Sequence, residues 1–167
     1  MMEAGSGAKH IELEEDSLVL EAALATLAEG VFDFGSELAV KTEGGLVQVI
    51  AFFRKYDCQS ALRQVAQFIN THCEESQQLC ARLLAAMHLE RDDLCADLIE
   101  RYPASFGFLN VAKSDYLQYE IFTLIPSRYY WALAKTNLGG QRVPQYSGVE
   151  PRKRFERLLR QIDHGNA

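Results

Sequence analysis

Four cysteines, Cys58, Cys73, Cys80 and Cys95, and the neighbouring histidines His72 and His88 are the residue types best suited to a metal or redox reaction. Structural zinc is held by close-spaced ligand pairs. Cys73, Cys80, His88 and Cys95 follow one another in steps of 7, 8 and 7 residues. No such pair fits these steps, and the chain has no Cys-x-x-Cys. The spacing suits small apolar side chains buried on helices, so no metal ligand and no cofactor is expected. Nucleophilic or acid–base catalysis needs a positioned set. The sequence has no His-Glu-x-x-His and no Gly-x-Ser-x-Gly, and its glycine pairs, Gly44-Gly45 and Gly139-Gly140, lack the flanking pattern of a phosphate loop. His10 and His164 lie near the ends, and no acid stands out as an orienting partner for His72 or His88. The acidic run Glu12, Glu14, Glu15 and Asp16 suits a solvated strand edge followed by a first helical turn, where the helix dipole favours negative charge. No catalytic residue is assigned, and the expectation is a protein that is not an enzyme.

Two groups remain as a candidate partner surface. Tyr129, Tyr130 and Trp131 are consecutive. Three consecutive helical positions cannot share one face, so at least one of these rings is expected at the surface, where aromatic residues anchor interfaces. The second group is the basic face of the last helical pattern, with Arg152, Arg157 and Arg160 in its centre and Lys153 and Arg154 beside them. Three readings fit it: an apolar stripe docked on the body, a partner-binding helix, or a contact with nucleic acid or an anionic membrane.

The elements that must position these residues belong to a soluble chain of 167 residues, 48% hydrophobic and 24% charged. A chain of this length buries enough surface to fold without disulfide or metal staples. The net charge of −6 argues against nucleic-acid binding by the whole domain. Charge is uneven: residues 1–30 carry seven acids against Lys9, and residues 150–167 carry five bases against three acids. The longest apolar block, Leu46 to Phe53, is too short to span a membrane, and residues 1–10 lack the apolar centre of a secretory signal. A cytoplasmic or nuclear location, with reduced thiols, is expected.

Residues 1–10 are small and polar and read as a disordered N-terminus. Ile11-Glu12-Leu13-Glu14 alternates like a short strand. Asp16 or Ser17 caps a helix whose stripe is Leu20, Ala23, Leu24 and Leu27 and whose stop is Gly30. A second stripe, Leu46, Val49, Ile50 and Phe53, ends at Tyr56-Asp57-Cys58, with Asp57 available as the next cap. Leu62, Val65, Ala66 and Ile69 follow, then Leu79, Leu83, Ala86 and Met87, then Leu94, Cys95, Leu98 and Ile99 capped by Asp92 or Asp93. Short links make these helices pack antiparallel or at a steep angle. A helix pair here takes the length of a solenoid repeat, but no signature residues recur, so the pattern defines no repeat array. A short helix is expected from Lys113 to Tyr119, another from Pro126 to about Thr136, a linker over 141–150, and a last helix carrying Phe155, Leu158, Leu159 and Ile162 on its apolar side.

Ile11-Glu12-Leu13-Glu14-Glu15-Asp16-Ser17, a Leu-rich helix, and Val49-Ile50-Ala51-Phe52-Phe53-Arg54-Lys55-Tyr56-Asp57-Cys58 with Ala61-Leu62 resemble the second half of a BTB/POZ domain. Lys55-Tyr56-Asp57-Cys58 is the sharpest part, and Ile125-Pro126-Ser127-Arg128-Tyr129-Tyr130-Trp131-Ala132-Leu133 resembles a later helix of the fungal, basidiomycete type. The resemblance implies a mostly α fold: a short N-terminal strand, a partial BTB/POZ-like helical half over 11–73, a helical extension over 74–140, and a linker with a basic amphipathic helix over 141–167. It implies a non-enzymatic protein–protein interaction module, an adaptor, with protein partners and self-association. The hairpin and helices of the family's first half have no counterpart before Ile11. That half carries much of the dimer interface and the contacts to cullin-type ubiquitin ligases, so neither is transferred. The alternative is a small helical regulator that meets nucleic acid or an anionic membrane through the basic C-terminal helix.

Overall fold

The computed structural model describes residues 15–30, 32, 44–71, 76–103, 106, 119–136 and 150–165. Among these there are eight helices and no strand: α1 (Ser17–Glu29), α2 (Gly45–Lys55), α3 (Gln59–Asn70), α4 (Ser76–His88), α5 (Asp92–Arg101), α6 (Tyr119–Leu124), α7 (Ser127–Thr136) and α8 (Pro151–Asp163). The mostly α expectation holds. The strand expected at 11–14, the segment 1–10, His72, Cys73 and the linker residues 141–149 lie outside the described residues. Of the helix expected over 113–119, residues 113–118 lie outside the described residues, and a described helix runs from Tyr119 to Leu124.

Caps set the first helix as expected. The Asp16 carboxylate accepts from the Leu18 amide at 2.8 Å, satisfying an orphan donor. Gly30 adopts φ 69°, a left-handed stop that costs glycine nothing. The buried stripe of α1 differs from the expected one. Val19, Ala23 and Thr26 face inward, Leu20 is half-buried, and Leu24 and Leu27 are 57% and 44% exposed. The reason is composition: α1 carries Ala and Leu on nearly every side, so spacing alone does not fix which side meets α2. Thr26 is tolerated inside because its hydroxyl donates to the Ala22 carbonyl at 2.7 Å.

Helix α2 buries Leu46, Val49, Ile50 and Phe53 as the stripe requires. The nine residues from Leu79 to Met87 of α4 are all buried, which makes α4 the central helix. It packs against α2, α3 and α5. Arg82 is the charged member of that run, and it closes the end of α3. Its Nη1 donates to the Thr71 carbonyl (2.7 Å) and hydroxyl (3.1 Å), and its guanidinium lies 4.2 Å from the Phe68 ring centre. Cys95 and Cys80 are buried in the core, and Cys58 is half-exposed. Burial pushes the Cys95 thiol up, so it packs as an apolar group rather than as a thiolate.

The turns after α2 and α4 have the same geometry. Asp57 and Glu90 hold positive φ, 52° and 58°. Around the first, the Cys58 amide donates to Phe53 O and the Asp57 amide to Arg54 O; around the second, the Arg91 amide donates to Ala86 O and the Glu90 amide to Met87 O. Each is the paired closure of a Schellman motif, with an acidic residue where glycine is usual. The next helix begins two residues later in both cases. The geometry thus recurs 33 residues on (57 to 90), although the residues do not. Neither expected cap forms: Asp57 is spent on the turn, Cys58 and Arg91 occupy the N-cap positions without a side-chain bond, and Asp92 lies inside α5.

Candidate interaction surface

Helices α3 and α5 lie side by side and run the same way, joined near their starts and at their ends. The turns themselves are bridged by Arg54 and Glu90 at 3.5 Å. At the far ends, Arg101 Nη2 donates to Asn70 Oδ1 at 2.8 Å. Between the helices lie two adjoining depressions of about 470 and 330 Å³ that share Arg63, Ala66 and Arg91. Their floor is Leu62, Ala66, Leu89 and Leu94. Their charged lining, among the described residues, is arginine alone: Arg54, Arg63 and Arg91. Leu62 and Ala66 belong to the predicted stripe of α3, yet both are only half-buried, and they form this floor while Ala61, Val65 and Ile69 enter the core. Arg91 gives Nε and Nη2 to Asp93 (2.8 and 2.6 Å), and this pairing holds the Asp93 carboxyl below its ordinary range.

The sequence-level candidates lie on the opposite flank of α5. Helix α8 packs antiparallel along α5 and α7, burying Phe155, Leu158 and Leu159. Arg152, at its start, donates to Asp97 (2.5 Å), Glu100 (2.9 Å) and Glu156 (2.9 Å). At its end, Asp163 meets Arg128, which also takes Asp92. Arg128 makes both contacts in two-pronged form, at 2.8–3.0 Å. Tyr129 adds a bond from its hydroxyl to Asp92 at 2.7 Å, and its ring stacks on Phe155 with centres 6.5 Å apart. Tyr129 is 1% exposed, so it is a core residue and no surface anchor in this structure. Tyr130 and Trp131 are half-buried, with Tyr130 edge-on to Phe122 at 4.6 Å. Arg152 has its donors committed inside the chain. Arg160 pairs loosely with Glu156 at 3.6 Å, and Arg157 is exposed and meets no carboxylate among the described residues. The structure therefore separates the six candidates into Tyr129 and Arg152, which hold α8 down, and Tyr130, Trp131, Arg157 and Arg160, which reach solvent without forming one site.

His88 donates from Nε2 to the Leu124 carbonyl at 2.7 Å, tying the end of α4 to α6. Glu15 Oε1 accepts from Lys55 Nζ and from the Tyr56 hydroxyl (3.2 Å), which joins the start of the described chain to the end of α2. The Lys55 ammonium holds the Glu15 carboxyl below its ordinary value. No described helix is long and apolar enough to cross a membrane.

Sequence reasoning did not identify the arginine groove. Arg54, Arg63 and Arg91 come from three elements, and no local pattern brings them together. No family model matches the chain, and neither a curated protein nor a solved structure matches it.

Proposed function

We propose that the chain is a non-enzymatic protein–protein interaction module of BTB/POZ type that acts as an adaptor in the cytoplasm or nucleus. The observation that carries this reading is the open groove along α3 and α5, with an apolar floor and an arginine rim. Interfaces combine buried apolar contacts with polar rims in this way, and arginine is enriched in them. The closure of α2 at Lys55-Tyr56-Asp57-Cys58 adds support, because the family resemblance rests on a helix ending in that segment. The test is capture of partners by the tagged full chain, followed by titration of each purified partner against the purified chain. Saturable binding of a protein to the purified chain is expected. Turnover of a small molecule with no protein bound would overturn the reading.

A further inference from the structure

We propose that the groove between α3 and α5 receives an acidic, partly apolar segment of a partner protein, its carboxylates on Arg54, Arg63 and Arg91 and its apolar side chains on Leu62, Ala66 and Leu94. This rests on the interaction-module reading and names the chemistry of the partner.

The groove arginines keep unspent donors. A guanidinium carries five N–H donors. Arg63 is exposed and meets no carboxylate among the described residues. Among the described residues Arg54 meets one carboxylate, Glu90 at 3.5 Å, and both side chains are open to water. Arg91 is held by Asp93 through Nε and Nη2, which leaves Nη1 to a ligand. No carboxylate lines either depression among the described residues. Two other described arginines are consumed, Arg128 by Asp92 and Asp163 and Arg152 by Asp97, Glu100 and Glu156, while Arg157 and Arg160 reach solvent on α8 with no apolar groove among the described residues beside them. Arg63, with the free donors of Arg54 and Arg91 on either side, makes the groove lining a local cationic strip on a chain whose net charge is −6, even though Glu90 and Asp93 each take part of a neighbouring guanidinium.

The same facts select the class of ligand. A nucleic acid is gathered by long-range attraction to many phosphates, which a chain of net charge −6 opposes. A peptide with a few carboxylates needs only short-range pairing, and the apolar floor gives its other side chains a place to be buried. Guanidinium is weakly hydrated and pairs carboxylates in a planar fork, so the two kinds of contact are compatible in one shallow groove.

The test uses the full chain and a fluorescein-labelled peptide of about twelve residues in which glutamates alternate with leucines within a Gly/Ser frame, read by fluorescence anisotropy. Saturable binding is expected, with a glutamine-for-glutamate peptide binding about tenfold or more weakly. Arg63→Glu and Arg91→Glu are each expected to weaken binding about tenfold, because each removes a pair and adds a like charge. Arg63 makes no hydrogen bond or ion pair among the described residues to lose on substitution, and circular dichroism checks that each variant keeps its helices. Arg157→Glu, on α8, is expected to leave binding unchanged. Equal binding of the glutamine peptide, unchanged binding by both groove variants, or tighter binding of an RNA oligonucleotide of equal charge would overturn the assignment. The two readings fail separately: a purified partner that still binds Arg63→Glu and Arg91→Glu at full strength removes the groove and leaves the module, whereas peptide binding without any protein partner removes the module and leaves the groove.

Discussion

Replacing Phe155 by alanine tests whether apolar burial or charge holds the C-terminal helix. Phe155 is fully buried, stacked on Tyr129 at 16° between planes, and flanked by buried Leu158 and Leu159. Truncating a buried phenylalanine costs about 3–5 kcal/mol, from lost transfer energy and the cavity left behind. The ion pairs at the two ends of α8 are partly exposed, with Arg128 and Arg152 side chains 31% and 34% open to solvent. Pairs of that kind contribute about 0.2–1 kcal/mol each, so the apolar term is larger. For Phe155→Ala the expected loss is about 3 kcal/mol, or about 10 °C in Tm for a chain of this size. Salt separates the two terms. Raising ionic strength from about 0.1 to about 1 M shortens the screening length from about 10 to about 3 Å, which removes most of the ion-pair contribution and little of the apolar one. Thermal unfolding followed by circular dichroism at both salts, with amide exchange over 151–163, reads the outcome. The loss is expected to be nearly equal at both salts and to be accompanied by faster exchange in α8. An unchanged Tm together with unchanged exchange, or a loss that vanishes in high salt, would refute docking through the apolar face.

Arg128→Ala is expected to cost about 1–2 kcal/mol, because two two-pronged carboxylate contacts are lost while the Tyr129–Asp92 bond remains; a double-mutant cycle with Asp163→Asn, read by urea unfolding, should show coupling, and strict additivity would count against it. Glu90→Gly should stabilise the chain by about 0.5 kcal/mol, since φ 58° strains a side chain and suits glycine; a lower Tm would contradict the turn geometry. Glu15 supplies a pH dependence. Lys55 lowers its folded pKa from 4.5, so its contribution to stability is present above the unfolded value and is lost as pH falls through the lowered folded one. Glu15→Gln should therefore flatten the acid side of a Tm-against-pH curve; a curve that keeps its slope below about pH 4.5 would argue against the pairing.

Where a helix has apolar residues on one side only, its buried face was legible in the sequence. The stripes of α5 and α8 enter the core as spacing requires, with Ile162 at the end of α8 half-buried, because polar residues on their other faces leave a single solution; α2, apolar on most sides, buries Val47 and Phe52 besides its expected stripe. Helix α1 has no such contrast, and its stripe turned out rotated toward Val19, Ala23 and Thr26. Asp57 shows a second limit. Aspartate favours both an N-cap and the left-handed conformation, and the sequence alone favoured the cap. Glu90 carried no turn signal at all, since glutamate has no preference for positive φ. The repeat of the turn is thus a property of backbone closure that residue identity hides. Arg54, Arg63 and Arg91 were hidden for a related reason: they become neighbours only after both turns have closed.

The basic C-terminal helix and the arginine groove are two sides of one distribution of charge across α5. Asp92, Asp97 and Glu100 pair with Arg128 and Arg152 on the side facing α7 and α8. Asp93 is the α5 acid paired beside the groove, and it meets Arg91 at the N-cap of its own helix. Docking α8 places Arg152 on Asp97 and Glu100, and Arg128 of α7 takes Asp92, so three of the acids of α5 are paired outside the groove lining. Coulomb interaction at partial exposure falls off within about 10 Å, so neutralising those acids lowers the negative background that a carboxylate entering the groove would meet. Arg152 of α8 thus acts on a partner indirectly: it is spent inside the chain, and the arginine strip along α3 and α5 lies where the sequence pattern drew no attention to it.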